Sequence, residues 1–261
     1  MQLVFITGAS SGIGQAMALA YIKQGWRVAL VARRLDALQA WADEVGATVS
    51  VQKDQIGLFH ADVQDPDSII LAAQACLAQM GVPDVVVANA GISLGVDTSK
   101  REDLAVMRQV MDTNLLGMAA TFHAFIEPMQ TRGTGTLVGI ASVAGVRGLP
   151  GHAAYCASKA AVISYCESLR GELRGYGLKV VTLAPGYVAT PLTQRNRYPM
   201  PFLMTAEAFA HQALPSIARG TSFRVIPWPM GIVARLLRML PNAVFDRALK
   251  GRPRKHRHTE N

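Results

Sequence analysis

The chain of 261 residues has little cysteine: only Cys76, Cys156 and Cys166. An odd count without metal-type spacing argues against a disulfide framework and fits a reducing, cytoplasmic setting. Histidine offers no metal site either, because His60, His123, His152 and His211 show no paired ligand spacing, and no metal is expected. No segment approaches the roughly 20 apolar residues needed to cross a bilayer. The chain enters QLVFITGAS without a charged leader, which argues against a secretory signal. Internal repeats, low-complexity linkers and the G-x-S-x-G elbow of a serine hydrolase are also missing. Acidic residues are in deficit, 18 against 26 lysines and arginines, for a net charge of +8. Much of that excess lies in DRALKGRPRKHRH (246–258), where Arg247, Lys250, Arg252, Arg254, Lys255 and Arg257 meet the single acid Asp246. Such a run is a flexible, solvated terminus or a contact for an anionic surface. The body is only mildly basic, and no nucleic-acid partner is expected.

What is present is alternation. Short β-branched runs at 3–7, 27–32, 56–61, 84–89, 135–141, 179–184 and 222–226 read as strands. Helix-length stretches with apolar residues three and four apart separate most of them. Several runs lack polar alternation, which indicates strands buried on both faces and a mainly parallel sheet. With half its residues apolar, the chain can build one substantial core. The expected architecture is α/β: a doubly wound, Rossmann-like three-layer sandwich with a seven-stranded sheet, occupying residues 1–228. Its ligand crevice would lie beyond the carboxyl ends of the strands. PLTQRNRYPMPFLMT (191–205) holds three prolines and reads as a loop or lid over that crevice. Residues 229–246 read as an amphipathic helix, with Ile232, Val233, Leu236, Leu237 and Leu240 on one face and Arg235 and Arg238 opposite. That stripe packs on its own protein, on a second subunit, or on a membrane surface. Residues 247–261 form the basic tail.

TGASSGIG (7–14) follows the first strand and opens a helix. Gly8 allows a tight turn, Gly12 a close backbone approach to a pyrophosphate, and Gly14 close packing of helix on sheet. Free N–H groups at the helix start favour phosphate. YCASK places Tyr155 and Lys159 four apart, on one helical face. A tyrosine of ordinary pKa, about 10, exchanges protons poorly near neutral pH. A neighbouring ammonium lowers it, making a general acid or base. Cys156, the next residue, points elsewhere on the helix and reads as packing. Glu127-Pro128 reads as a helix bend or end.

These motifs together resemble the short-chain dehydrogenase/reductase family. TGASSGIG resembles its cofactor loop, ANAG (88–91) its N-N-A-G motif with Ala88 replacing the first Asn, and PGYVAT (185–190) its P-G-x-x-x-T segment. Asn114, Ser142, Tyr155 and Lys159 fall in the order and spacing of its catalytic tetrad. The resemblance covers about residues 3–226. It implies hydride transfer between a nicotinamide cofactor and a carbonyl or secondary alcohol. Tyr155 would move the proton and Ser142 would hold the substrate oxygen. Lys159 would tune Tyr155 and reach the nicotinamide ribose, and Asn114 would hold a water linking Lys159 to solvent. Gly8, Ser10, Ser11, Gly12, Ile13 and Gly14 would cradle the cofactor. Asp62 and Val63 would flank adenine, and Asn89, Ala90 and Gly91 would border ribose. Pro185, Gly186 and Val188 would lie against the nicotinamide, and Thr190 near the phosphates or the carboxamide. His152 is either a loop histidine or a pocket residue.

The resemblance also gives VALVARRLD (28–36) a meaning. Family members that prefer NAD tend to carry an acid where Ala32 stands. Ala32 removes repulsion of a 2′-phosphate, and Arg33, with Arg34 as a second candidate, supplies charge-assisted bonds to it. NADP(H) is therefore the expected cofactor. The alternative is that both arginines are surface residues at a helix start. The resemblance implies a homodimer or homotetramer formed through the helices near 101–130 and 152–176. AAYCASKAAVISYCESL has the small residues such packing needs. The lid and the 229–240 stripe favour an apolar substrate. Two other readings stand beside a reductase: a non-catalytic NADP-binding redox sensor, and a membrane-peripheral reductase of lipid- or steroid-type carbonyls.

Overall fold

The apolar strand runs assemble side by side. In the computed structural model, which describes residues 1–194, 196, 199–251 and 257, the first half of the chain alternates strand and helix: β1 (Leu3–Thr7), α1 (Gly12–Lys23), β2 (Arg27–Ala32), α2 (Leu35–Thr48), β3 (Ile56–His60), α3 (Pro66–Met80) and β4 (Val85–Ala88). A long helical stretch follows as α4 (Asp103–Met111), a π-turn (Asp112–Leu116) and α5 (Gly117–Arg132). Then come β5 (Gly135–Ile140), α6 (Ala153–Leu173), β6 (Leu178–Pro185), the short strands β7 (Val188–Ala189) and β8 (Met204–Thr205), α7 (Ala206–Arg219), β9 (Phe223–Ile226), α8 (Trp228–Met239) and α9 (Asn242–Leu249).

Seven strands form one sheet in the order β3-β2-β1-β4-β5-β6-β9, each paired parallel to its neighbours. This is the doubly wound α/β arrangement expected from the strand runs. Alternate residues of each strand feed two cores. Val4, Ile6, Val28 and Leu30 pack with α1 and α7 on one face. Leu3, Phe5, Ala29 and Val31 pack with α3, α5 and α6 on the other. Both faces are covered, so nothing selects for polar alternation within the strands. Local chemistry fixes several helix ends. Asp65 accepts from the Asp67 N–H ahead of Pro66, and Thr205 accepts from the Ala208 N–H at the start of α7.

Three expectations need correction. Helix α5 runs through Pro128 to Arg132 and stops at left-handed Gly133, so the proline does not end it. Residues 229–246 are not one helix but two, parted at Leu240 (ψ 134°). Pro241 disfavours helical geometry at the residue before it and brings no N–H. The lid segment is bracketed by parallel pairing of β7 with β8, which a loop reading does not contain. Arg195, Arg197 and Tyr198 within it lie outside the described residues, as do Arg252, Arg254 and Lys255 of the basic tail.

The chain's crossover reverses direction between β1 and β4, and the two strand ends are tied there. The hydroxyl of Thr7 accepts from the N–H groups of Asn89 (3.1 Å) and Ala90 (3.2 Å). The Asn89 amide donates to the carbonyls of Thr7 (3.0 Å) and Gly8 (3.2 Å). Thr7 is 1% exposed, so water cannot replace its oxygen. Thr7→Val keeps the shape and removes the acceptor for two amides. It is expected to destabilise the fold by about 2–4 kcal/mol, read as a lower urea midpoint at unchanged slope.

Candidate active site

Segments leaving the carboxyl edge of the sheet line one cleft of about 950 Å³. All the site residues singled out from the sequence line it except Gly14 and Asn114. Those two act from behind. Gly14 lies against the Gly8 carbonyl and the Asn89 amide, where a Cβ would collide with both. Asn114 is 0% exposed and sits in the π-turn.

The glycine loop forms one wall. Gly8 (φ +67°) and Gly12 (φ +57°) adopt left-handed backbone, which other residues rarely accept. A Cβ on Gly8 would approach Ala90 Cα to 2.8 Å, and one on Gly12 would come within 3.0 Å of Thr190. The loop is therefore as thin as a chain can be where it borders the cleft. Ser11 occupies the N-cap position of α1 in extended geometry (φ −167°), and its side chain makes no capping bond. Ser10 and the partly buried Ile13 line the same wall. This is a cradle that fits a dinucleotide pyrophosphate, because the thin glycine loop and the N-terminus of α1 border the space.

At the edge of that wall Ala32 is buried and apolar, and Arg33 is exposed. Arg33 Nη1 stands 3.8 Å from Asp62 Oδ2, a loose ion pair whose partners are 61% and 39% exposed. The other Asp62 oxygen accepts from the Gln64 N–H (3.0 Å). Arg34 caps the start of α2 with non-helical backbone and also lines the cleft. Val63 is buried beneath, against the second core. Gly117 is where the long helix passes the loop after β3: a Cβ there would lie 2.6 Å from the Val63 carbonyl.

The opposite end of the cleft holds the titratable groups. Tyr155 and Lys159 stand one turn apart on α6, with Lys159 Nζ 5.9 Å from the centre of the phenol ring. Ser142, just beyond β5, lines the cleft together with Tyr155, and its Oγ accepts from the Ala144 N–H (3.1 Å). Lys159 is buried and donates to the Ile140 carbonyl (2.7 Å). Burial lowers its pKa from 10.5 to about 8, with Cys166 acting in the other direction. Burial raises the Tyr155 pKa, with Ser142 acting in the other direction. The sequence led us to expect an ammonium depressing the tyrosine directly. Here Lys159 donates to the Ile140 carbonyl, and burial keeps the Tyr155 pKa raised.

Asn114 is a structural knot. Its Oδ1 accepts from the Ile92 N–H (2.8 Å), and its Nδ2 donates to the Ile92 carbonyl (3.0 Å) and to Ser158 Oγ (2.9 Å). Ser158 in turn donates to the Tyr155 carbonyl (2.8 Å). The loop after β4 and the turn of α6 that carries Tyr155 are thereby locked together. Ser158 was missed from the sequence; as the penultimate residue of YCASK it carried no signal of its own. Asn89, expected beside a ribose, lines the cleft but spends its amide on the β1 end. His152 is buried, lines the cleft and contacts the Pro150 carbonyl (3.3 Å). Cys76, Cys156 and Cys166 are free and buried, and burial raises the pKa of each. Among the described residues no group of three or more His, Cys, Asp or Glu side chains could hold a metal.

The roof of the titratable end is apolar, contributed by Leu149, Tyr187, Met230, Val233, Leu237 and Phe245. Arg147 holds this roof in place, a role that nothing in its local sequence marks. Its Nη1 donates to the carbonyls of Leu237 and Leu240, the latter at 2.7 Å, and its Nη2 to Asn242 Oδ1 at 3.0 Å. The guanidinium lies 3.9 Å from the centre of the Phe245 ring. One side chain thus caps α8, fixes the Pro241 corner and seats α9. Arg257 of the basic run also departs from expectation: it donates to both oxygens of buried Asp103 (2.7 and 3.0 Å) and to Glu102 (3.1 Å). A bidentate guanidinium is the natural partner of a buried carboxylate, which is why this residue is not solvated.

A family model described as short chain dehydrogenase matches residues 2–200. Among curated proteins, the chain is 42% identical over 246 residues to an "Uncharacterized oxidoreductase" of Myxococcus xanthus (strain DK1622), covering 94% of this chain and 95% of the relative. Among solved structures it resembles the alcohol dehydrogenase from the archaeon Thermococcus sibiricus complexed with 5-hydroxy-NADP, with TM-score 0.76 and 26% identity, covering 87% of this chain and 96% of that one. It shares its fold, with TM-score 0.80 and 24% identity, with a short chain dehydrogenase/reductase from Burkholderia phymatum in complex with NAD, over 90% and 92% of the two chains.

Two outcomes follow from this geometry. Below pH 8 the folded and unfolded chains both carry the Lys159 proton, and the fold bears the whole cost of a buried charge. Between about 8 and 10.5 the unfolded chain holds more proton, so this contribution to stability rises with pH. Lys159→Met is expected to be about 2 kcal/mol more stable than the parent at pH 7. Its advantage shrinks as the pH rises through 8 to 10, in parallel denaturant titrations. Arg147→Met is expected to cost about 2 kcal/mol of local stability and to speed amide exchange across 228–249 while leaving exchange in β1 and β4 unchanged.

Proposed function

The chain belongs to the short-chain dehydrogenase family, and on that premise we propose that it is an NADP(H)-dependent oxidoreductase acting on an apolar carbonyl compound or the corresponding secondary alcohol. The observation that carries this reading is that Tyr155 and Lys159, one helical turn apart on α6, line with Ser142 the same cleft as the glycine loop. A bound nicotinamide dinucleotide supplies or takes the hydride. The protein's own groups do the rest. Ser142 holds the substrate oxygen. Tyr155 gives its phenolic proton to that oxygen in reduction and recovers it in oxidation. Lys159, with a pKa near 8, is poised to return the proton at working pH. Asn114 acts as a positioning residue through Ser158, because it touches the loop after β4 and the helix that carries Tyr155.

The preference for NADP(H) rests on Ala32 and Arg33. A 2′-phosphate beside Ala32 meets no carboxylate on β2, and the loose, exposed contact with Asp62 leaves the guanidinium free to turn to a stronger anion. The relatives do not decide this, since one similar structure holds an NADP derivative and another holds NAD. Association of subunits fits the outer faces of α4–α6, where Leu104 and Leu116 are exposed beside the small residues Ala157, Ala160 and Ser164.

Paired fluorescence titrations with NADPH and NADH are expected to favour NADPH. Arg33→Ala should weaken NADPH binding about 10–100-fold and leave NADH nearly unchanged. Equal affinities in the parent chain would refute the cofactor assignment. Tyr155→Phe should bind NADPH as the parent does while losing at least about 100-fold in turnover over a panel of ketones. Tight NADPH binding without turnover of any carbonyl by the parent would favour a redox sensor.

A further inference from the structure

Helix α8 has two apolar sides, and only one of them is covered. Met230, Val233, Ala234 and Leu237 face the cleft. On the other side Trp228, Ile232, Leu236 and Met239 are 68, 50, 60 and 80% exposed. Their spacing of four, four and three residues keeps them on one helical face. Val244 of α9 adds a fifth exposed apolar side chain at 52%. A surface helix usually turns polar residues outward, and a contiguous apolar face marks a contact.

The charges around this face indicate the partner. Arg235, Arg238, Arg247 and Lys250 are all exposed. Asp246 is the single acid in residues 228–251. A second copy of the chain docked here about a twofold axis would set the same cations against one another. An anionic bilayer offers the opposite charge and an apolar layer just beneath it. Helices that lie in the headgroup plane have this make-up, with tryptophan and aliphatic residues on one side and arginines beside them. No helix among the described residues is long and apolar enough to cross a membrane, so the contact would be peripheral. Arg147 makes the face rigid, because it holds both helices at their corner.

We propose that the outer face of α8, with Val244 of α9, docks on an anionic lipid surface and sets the apolar roof of the cleft against the membrane. This contact stands independently of the chemistry proposed for the cleft. It is tested with the full chain and two kinds of vesicle, phosphatidylcholine alone and phosphatidylcholine with phosphatidylglycerol. The protein is expected to co-sediment at least about tenfold better with the anionic vesicles, and less well as salt is raised. Its emission should shift to the blue on binding, and Trp228→Phe should abolish that shift. The double variant Ile232→Ser with Leu236→Ser should lose at least about tenfold in binding. Arg235→Glu with Arg238→Glu should erase the preference for anionic lipid. None of these residues lines the cleft, so NADPH titration of each variant reports folding, and failure of the cofactor reading is seen separately. Failure to bind either vesicle overturns the proposal. Anionic binding that survives both double variants also overturns it and moves the contact to the basic tail. A dimer seen by light scattering that Ile232→Ser with Leu236→Ser dissociates, without vesicle binding by the parent, overturns it in favour of a second copy.

Discussion

Burying the Lys159 ammonium is the constraint around which the site is arranged. A charge taken from water must find hydrogen bonds and small neighbours, or lose its proton. The Ile140 carbonyl at the end of β5 provides the bond. Glycines provide the room. A Cβ on Gly91 would stand 3.5 Å from Nζ and 3.1 Å from Asn114 Oδ1, and one on Gly145 would lie 2.6 Å from the Lys159 carbonyl carbon. Asn114, Ile92 and Ser158 then hold the walls together. The arrangement opposes stability at neutral pH, the kind of cost a fold carries where a site is built into it.

The cofactor end is governed by a different constraint, closeness of backbone. At the reversal between β1 and β4, Thr7, Gly8, Gly14 and Asn89 occupy a volume in which no further Cβ fits. Parallel pairing brings every strand's carboxyl end to the same edge, so one such junction serves the whole cleft. The residues facing the cleft at this end present backbone more than side chain. That suits recognition of a phosphate by N–H groups, while the exposed guanidiniums of Arg33 and Arg34 stand at the rim.

What could be read in advance follows from how local each feature is. Strands buried on both faces leave uninterrupted β-branched runs, and the seven runs in the sequence are the seven strands of the sheet. The glycine loop, Ser142 and the Tyr155–Lys159 pair were legible because each sits within a few residues of a strand end or on one helical turn. The π-turn at Asp112–Leu116 was not, since its residues have ordinary helical character and only the tie from Asn114 to Ile92 reveals its use. Arg147 meets its acceptors some 90 residues away, and Arg257 meets Asp103 154 residues away. No periodicity records contacts of that separation. The break at Pro241 was local and available, but the stripe of 229–240 continues in phase through Leu240 and conceals it.

This division of distances matches a division of labour. The family model covers residues 2–200, which hold the glycine loop, Arg33, Ser142, Tyr155 and Lys159. Met230, Val233, Leu237 and Phe245, which roof the titratable end, lie beyond it. The roof touches the rest of the cleft through packing and through Arg147, and not through the sheet's hydrogen-bond ladder. A segment attached in that way can change its side chains without disturbing the strands or the buried lysine. The same freedom lets one helix carry two apolar faces, because its inner side answers to the cleft and its outer side only to what lies outside the protein. Selection of substrate is therefore expected to reside in α8 and α9, and proton transfer in α6 and the end of β5, with Arg147 as the joint between them.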